Sequence, residues 1–201
     1  MNIRQKLSAG DMRERILNVA EEHFRRIGYG KTAVADIASA MHMSPANVYR
    51  FFPSKGAIND ALCSRMMRQT DDMLRLIVVR EAPATERLKA LFVDLHRHNK
   101  ATLTQEHRLH DMVEVAMAEN WPAIDAHCQS VRGFLTQIIA DGVKSGEFRS
   151  VDPLDFANTA FDAATKVFHP TLIAHCARCP DLDQEEQAAR LADLVIAALR
   201  P

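Results

Sequence analysis

Ser44, Pro45, Ala46 and Asn47 form a run of small or polar residues, and Tyr49, Arg50 and Lys55 follow closely. Such types suit the reading of a nucleic-acid duplex. An asparagine amide pairs with N6 and N7 of adenine, and Ala or Pro can touch a thymine methyl. Tyr49, Arg50 and Lys55 are expected at flanking phosphates, which fix register without carrying sequence information. A second group of candidates is His96, His98, His107, His110, the His127-Cys128 pair, His169, His175, Cys176 and Cys179. His96 and His98 are two apart and share no helical face, whereas His107 and His110 do. One C-x-x-C with one nearby histidine lacks the second ligand pair of a zinc site, and no metal residue is assigned. A thioredoxin-type reading needs a βαβ context that the chain lacks. Metal or thiol-oxidation sensing stays open beside the plainer reading of buried thiols and core or solvated histidines. A small helical enzyme using Cys/His pairs is the remaining class. No oxyanion loop, G-x-S-x-G or H-E-x-x-H supports it, so no catalytic residue and no cofactor is assigned.

These residues need elements to hold them. Leu17, Ala20, Phe24 and Ile27 repeat at helical spacing over 11–27, with Gly28 as the stop. Thr32 is the expected N-cap of a short second helix carrying Val34, Ile37, Ala38 and Met41, and is placed with the duplex-contacting residues. Ser44 caps a third helix with Pro45 at its first position, ending at Phe52 before Pro53. Val48 and Phe52 point inward. A short helix, a tight turn and a second short helix, backed by a first helix, make a helix-turn-helix, whose second helix enters the major groove.

Further helices are expected at 55–80, 84–100, 104–118, 123–145, 153–177 and 183–199. Ser54 opens the first of these, Gly146 closes the fourth and Asp152-Pro153 opens the fifth, which Pro170 should kink or break. The fold class is therefore all-α, with about nine helices: a helix-turn-helix domain over 1–56 and a helical effector-binding and dimerisation domain over 57–201. The boundary falls inside the long helix over 55–80 and not in a flexible linker.

The bulk numbers agree with a folded, water-facing chain. Hydrophobic residues are 47% of 201, and no apolar run approaches the length of a membrane span. The first residues lack an apolar signal core, and four cysteines suggest reduced thiols, so a cytoplasmic protein with no membrane partner is expected. Residues 1–56 hold nine Lys/Arg and five Asp/Glu, a net +4, while the remaining 145 hold 16 and 21, a net −5. A basic head on an acidic body suggests that only the head meets a polyanion.

The stretch AVADIASAMHMSPANVYRFFPSKGAI resembles the DNA-binding signature of the TetR family of bacterial transcriptional repressors. The resemblance runs from Arg13 to Leu62 and includes Phe24, Gly28-Tyr29, Thr32, Asp36-Ile37-Ala38 and Val48-Tyr49-x-x-Phe52-Pro53-Ser54-Lys55. It departs at Pro45-Ala46, where the family often has Lys-Gly, and at Gly56 and Ala57, where it often has Glu. IIADGVKSGEFR is similar to a recurrent C-terminal feature, and HDMVEVAMAENWPAI is similar to a subgroup near the AefR-like regulators.

The resemblance implies a repressor that binds a double-stranded palindromic operator as a homodimer and is released by a small-molecule effector. For the pocket it points to Phe92, Met112, Val115, Trp121, Phe134, Phe161 and Phe168, with His96, His110, Cys128 and Thr165 as polar points. For the dimer it points to the apolar stripes Ala157, Phe161, Ala164, Phe168 and Leu172, and Ala188, Leu191, Ala192, Val195 and Ala198. Two recognition helices about 34–36 Å apart would then read successive major grooves.

Overall fold

A computed structural model describes residues 8–105, 113, 115–119, 122–176 and 183–201. The described residues are helical, with no strand among them. Ten helices are named here: α1 Ala9–Ile27, α2 Val34–Ala40, α3 Pro45–Tyr49, α4 Lys55–Val78, α5 Ala84–Gln105, α6 Pro122–Ser145, α7 Pro153–Ala163, α8 Thr165–Phe168, α9 Pro170–Cys176 and α10 Gln184–Leu199. Residues 115–118 are helical as well.

Local chemistry sets most of the ends. Ser8 and Asp11 form a reciprocal capping box at the start of α1, and Gly28 ends it at φ 92°, where a side chain would be strained. Ser54 accepts from the Ala57 N–H to start α4. Asp152 accepts from the N–H groups of Leu154 and Asp155, with Pro153 at the first helical position of α7. Asp183 plays the same capping part for α10. Gly146 turns the chain at φ 78° after α6.

The expected helix over 153–177 is three helices. His169 is extended at φ −73°, ψ 122°, because the residue before proline is driven out of helical geometry, and Pro170 starts α9. Ala164 makes the other break, between α7 and α8.

Two apolar cores result. The head core gathers Ile16, Leu17, Ala20 and Phe24 of α1 with Ile37, Val48 and Phe52, and is closed by Ile58, Leu62 and Cys63 of α4. Ala116 and Ala123 of the body also pack into it. The body core starts at Leu74 of the same helix and takes in Leu88, Leu91, Phe92 and Leu95 of α5, Leu135, Ile138 and Ile139 of α6, and Ala192 and Ile196 of α10. In the body α4 packs on α5 and α6, α10 on α5, and α6 on α7. α4 is therefore a common wall of both cores. Arg65 on α4 ties it to α1 through Glu14 at 3.2 Å, Asn18 at 2.7 Å and Glu21.

Candidate DNA-reading face and ligand chamber

The head presents α3 outward. Ser44, Pro45 and Ala46 are exposed and Asn47 is half-buried, while Val48 beside them is fully buried. Ser44 Oγ accepts from the Asn47 N–H at 3.4 Å. Tyr49 is 49% exposed and Arg50 is exposed, so both side chains are available at the surface. The turn between α2 and α3 passes through His42 at φ 55°, a left-handed conformation unusual for a residue with a side chain. His42 is exposed beside this tip, a position that the sequence reading passed over.

Two expected contacts are turned inward. Thr32 is buried, and its hydroxyl donates to Gly28 O at 2.8 Å, closing the turn after α1. The N-cap of α2 is Ala33, one residue later than expected, and the Asp36 carboxylate accepts its N–H at 2.8 Å. Lys55 sends its ammonium to Tyr29 O at 2.8 Å and Thr32 O at 3.1 Å, over the Tyr29 ring at 4.4 Å from its centroid. It is satisfied within the chain and clamps the α1–α2 turn to the start of α4. Arg13 acts similarly from α1, donating to Phe51 O and lying 4.1 Å over the Phe52 ring.

The body holds a chamber of about 670 Å³, its mouth included, between α4, α5, α6 and the α7–α9 segment. Met67, Leu95, Asn99, Cys128, Phe161, Thr165, Phe168 and His169 are on its wall.

Family models match both halves. Residues 16–62 match the model for bacterial regulatory proteins of the tetR family, and residues 84–192 match that for the tetracyclin repressor-like C-terminal domain. The chain belongs to the TetR family. Among relatives, it is 24% identical to the uncharacterised helix-turn-helix transcriptional regulator YhgD of Bacillus subtilis, over 94% of this chain and 97% of that protein. Among solved structures, it resembles a TetR/AcrR-family regulator of Thermobifida fusca at 23% identity and TM-score 0.68, covering 95% of this chain and all of that one. FadR of Bacillus subtilis, solved in complex with stearoyl-CoA, is similar at 19% identity and TM-score 0.66, covering 93% of this chain and 99% of that one.

Of the TetR pocket residues expected from sequence, Cys128, Phe161, Thr165 and Phe168 line the chamber. Phe92 lies behind it, with its ring centroid 5.1 Å from that of Phe168. His96 is buried outside it with Nδ1 on Val167 O at 2.9 Å, and burial lowers its pKa from the ordinary 6.5. Phe134 faces Arg75 and the body core, and Val115 packs on the head core. His110, Met112 and Trp121 lie outside the described residues, as do His107, Cys179 and the His175 side chain.

Met67, Asn99, His127, His169 and Pro170 line the chamber without having been expected there. His127 joins the wall to α4 through Asp71 at 2.7 Å. Its neighbour His98 meets Thr70 of α4 at 3.1 Å, and burial, then the charge of His127, lowers its pKa. Cys63 and Cys128 give sensing chemistry no support: burial drives Cys63 up to about 12 and raises Cys128, and a reactive cysteine needs the thiolate. Among the described residues no three His, Cys, Asp or Glu converge as metal ligands.

Most residues of the stripes read as a dimer surface pack on the chain's own core. Ala157, Ala164, Ala188 and Ala192 are fully buried, and Phe168 and Val195 nearly so. Phe161 and Leu191 are half-buried against the same core, while Leu172 and Ala198 face outward. Periodicity reveals that a helix has an apolar side, but not which body covers it. Among the described residues no helix is long and apolar enough to cross a membrane.

Proposed function

We propose that this TetR-family transcriptional regulator is a cytoplasmic repressor that reads a palindromic operator as a homodimer and is released by a small-molecule effector. The observation that carries the reading is the exposed Ser44–Asn47 tip, held on a closed core that shares α4 with the chamber. Asn47 reads a base, Pro45 and Ala46 offer apolar contact, and Tyr49, Arg50 and His42 reach phosphates. Lys55 and Thr32 position these groups from inside the head.

A single recognition helix touches too few bases to select a site, so two copies are required. Apolar side chains left exposed for a partner include Leu154 on α7, Leu172 on α9 and Leu194 on α10, 58%, 37% and 66% exposed. Release runs through α4. Met67 on the chamber wall and Asp71, one turn further, both belong to that helix, and His127 on the opposing wall holds Asp71. A ligand that displaces Met67 or His127 moves α4 and, through Arg65, α1. Ligand and operator then weaken each other by the same factor. FadR was solved with stearoyl-CoA, but the described chamber wall here has no Lys or Arg to meet such phosphates, so that ligand is not carried over.

Selection of bound duplexes from a random pool tests the reading. Wild type should enrich a palindrome with half-site centres about one helical turn, or a multiple of it, apart. Asn47→Ala should relax preference at one base per half-site. Enrichment of no sequence at low salt would end the repressor assignment.

A further inference from the structure

We propose that the chamber ligand is an uncharged hydroxyl-bearing aromatic, a neutral phenol with an apolar body; this rests on the chamber being the effector site. The first ground is charge. Among the described residues no Lys, Arg, Asp or Glu lines the wall. A carboxylate or phosphate would lose its hydration against these residues without gaining a cation from them. Asp71 lies beside the wall but already accepts from His127.

The second ground is shape and softness. The Phe161 and Phe168 rings stand 6.1 Å apart, tilted by 49°, which offers a third ring an edge and a face. Met67 and Met117 add thioethers, which make favourable contacts with aromatic rings and adapt to outline.

The third ground is the direction of the remaining hydrogen bonds. Asn99 donates one N–H of Nδ2 to Phe168 O at 3.0 Å, which leaves its second N–H and the acceptor Oδ1. Thr165 donates its hydroxyl to Asp162 O at 2.6 Å, which leaves oxygen lone pairs. His127 has Nδ1 on Asp71, which leaves Nε2. Among the described wall residues the Thr165 hydroxyl hydrogen is thus committed within the protein, and Asn99 Oδ1 and Thr165 Oγ1 are left to accept, while one Asn99 N–H stays available. A hydroxyl on the ligand can donate to these oxygens and accept from that N–H.

Titration calorimetry of the full-length protein with three probes tests this: 4-propylphenol, its methyl ether and 4-propylbenzoate. The phenol should bind saturably, and the ether and the benzoate each about tenfold or more weaker, the worth of one good hydrogen bond or of an unpaired charge. Thr165→Val and Asn99→Leu should each narrow the phenol-to-ether ratio while leaving ether affinity in place; Thr165 is at the exposed rim, so its variant keeps the fold if Asn99→Leu does not. Cys128→Trp, which fills the chamber, should remove phenol binding with helicity intact. The inference is overturned if the benzoate binds as well as the phenol, if the ether equals it, if no phenol binds to folded protein, or if binding survives Cys128→Trp. Duplex binding is read separately. A protein that takes the phenol but ignores DNA sinks the repressor reading alone, and one that selects an operator but refuses the phenol sinks only this inference.

Discussion

Replacing Lys55 by methionine keeps the stem and removes the ammonium. The structure gives that ammonium two close carbonyl partners, Tyr29 O at 2.8 Å and Thr32 O at 3.1 Å, a longer one in Gly30 O at 3.5 Å, and the Tyr29 ring face at 4.4 Å. Hydrogen bonds to a charged group are worth about 1.5–3 kcal/mol when buried, and half-burial here reduces each to about 1 kcal/mol. The ring adds about 0.5 kcal/mol. The variant should therefore lose about 2–3 kcal/mol. At a slope of about 2 kcal/mol per molar urea, the unfolding midpoint followed by far-ultraviolet circular dichroism should fall by about 1 M. DNA binding supplies the contrasting readout. A lysine on a phosphate contributes about 0.9 per contact to the slope of log K against log salt, whereas a lysine folded onto its own chain contributes nothing. Lys55→Met should leave that slope unchanged in conditions where the head is folded. An unchanged urea midpoint together with a salt slope reduced by about one per protomer would refute the clamp and return Lys55 to the DNA.

Three further outcomes follow from packing and protonation. In Gly142→Ala the new Cβ would lie 2.2 Å from Cδ2 of the buried Phe148, so overpacking of about 2–3 kcal/mol outweighs about 1 kcal/mol of helix propensity, and calorimetry should show melting lowered by roughly 5 °C. Burial alone would raise the Glu147 carboxyl, but hydrogen bonds from Thr85 and Ala84 at the start of α5 prevail and hold it below its ordinary 4.5. Its stabilisation is present above that value and lost as pH falls below it, so the advantage of wild type over Glu147→Gln in urea should shrink from pH 6 to pH 3. His96, lowered by burial, leaves the folded chain short of a proton relative to the unfolded one below 6.5; stability should fall as pH drops through that value, and His96→Asn should flatten the fall.

Local chemistry made much of the fold legible. Gly28, Ser44-Pro45, Ser54, Gly146 and Asp152-Pro153 each act within a turn of themselves, and the structure uses each as a helix end. The break at Pro170 is legible for the same reason, but Ala164 carries no such mark. Thr32 illustrates a subtler limit. Its type suits an N-cap, but Gly28 O competes for the hydroxyl, and a partner four residues back is invisible to a forward capping pattern. Lys55 is similar, since a basic residue near a reading helix looks like a phosphate ligand until the carbonyls of the α1–α2 turn are placed beneath it. The chamber was the least legible feature. Cys128, Phe161, Thr165 and Phe168 stand out by type, whereas Met67, Asn99 and His169 become neighbours only when three separate segments converge. The apolar stripes of α7 and α10 were real, but they cover the protomer's own interior.

α4 runs unbroken for 24 residues, about 36 Å, with Cys63 in one core and Leu74 in the other. An engineer cannot therefore exchange the front half of this molecule as a cassette joined by a tether. A hybrid has to be spliced inside the rod, between those two positions, and with its helical phase preserved. One residue inserted there would swing everything beyond it by about 100 degrees and leave both halves intact but wrongly aimed.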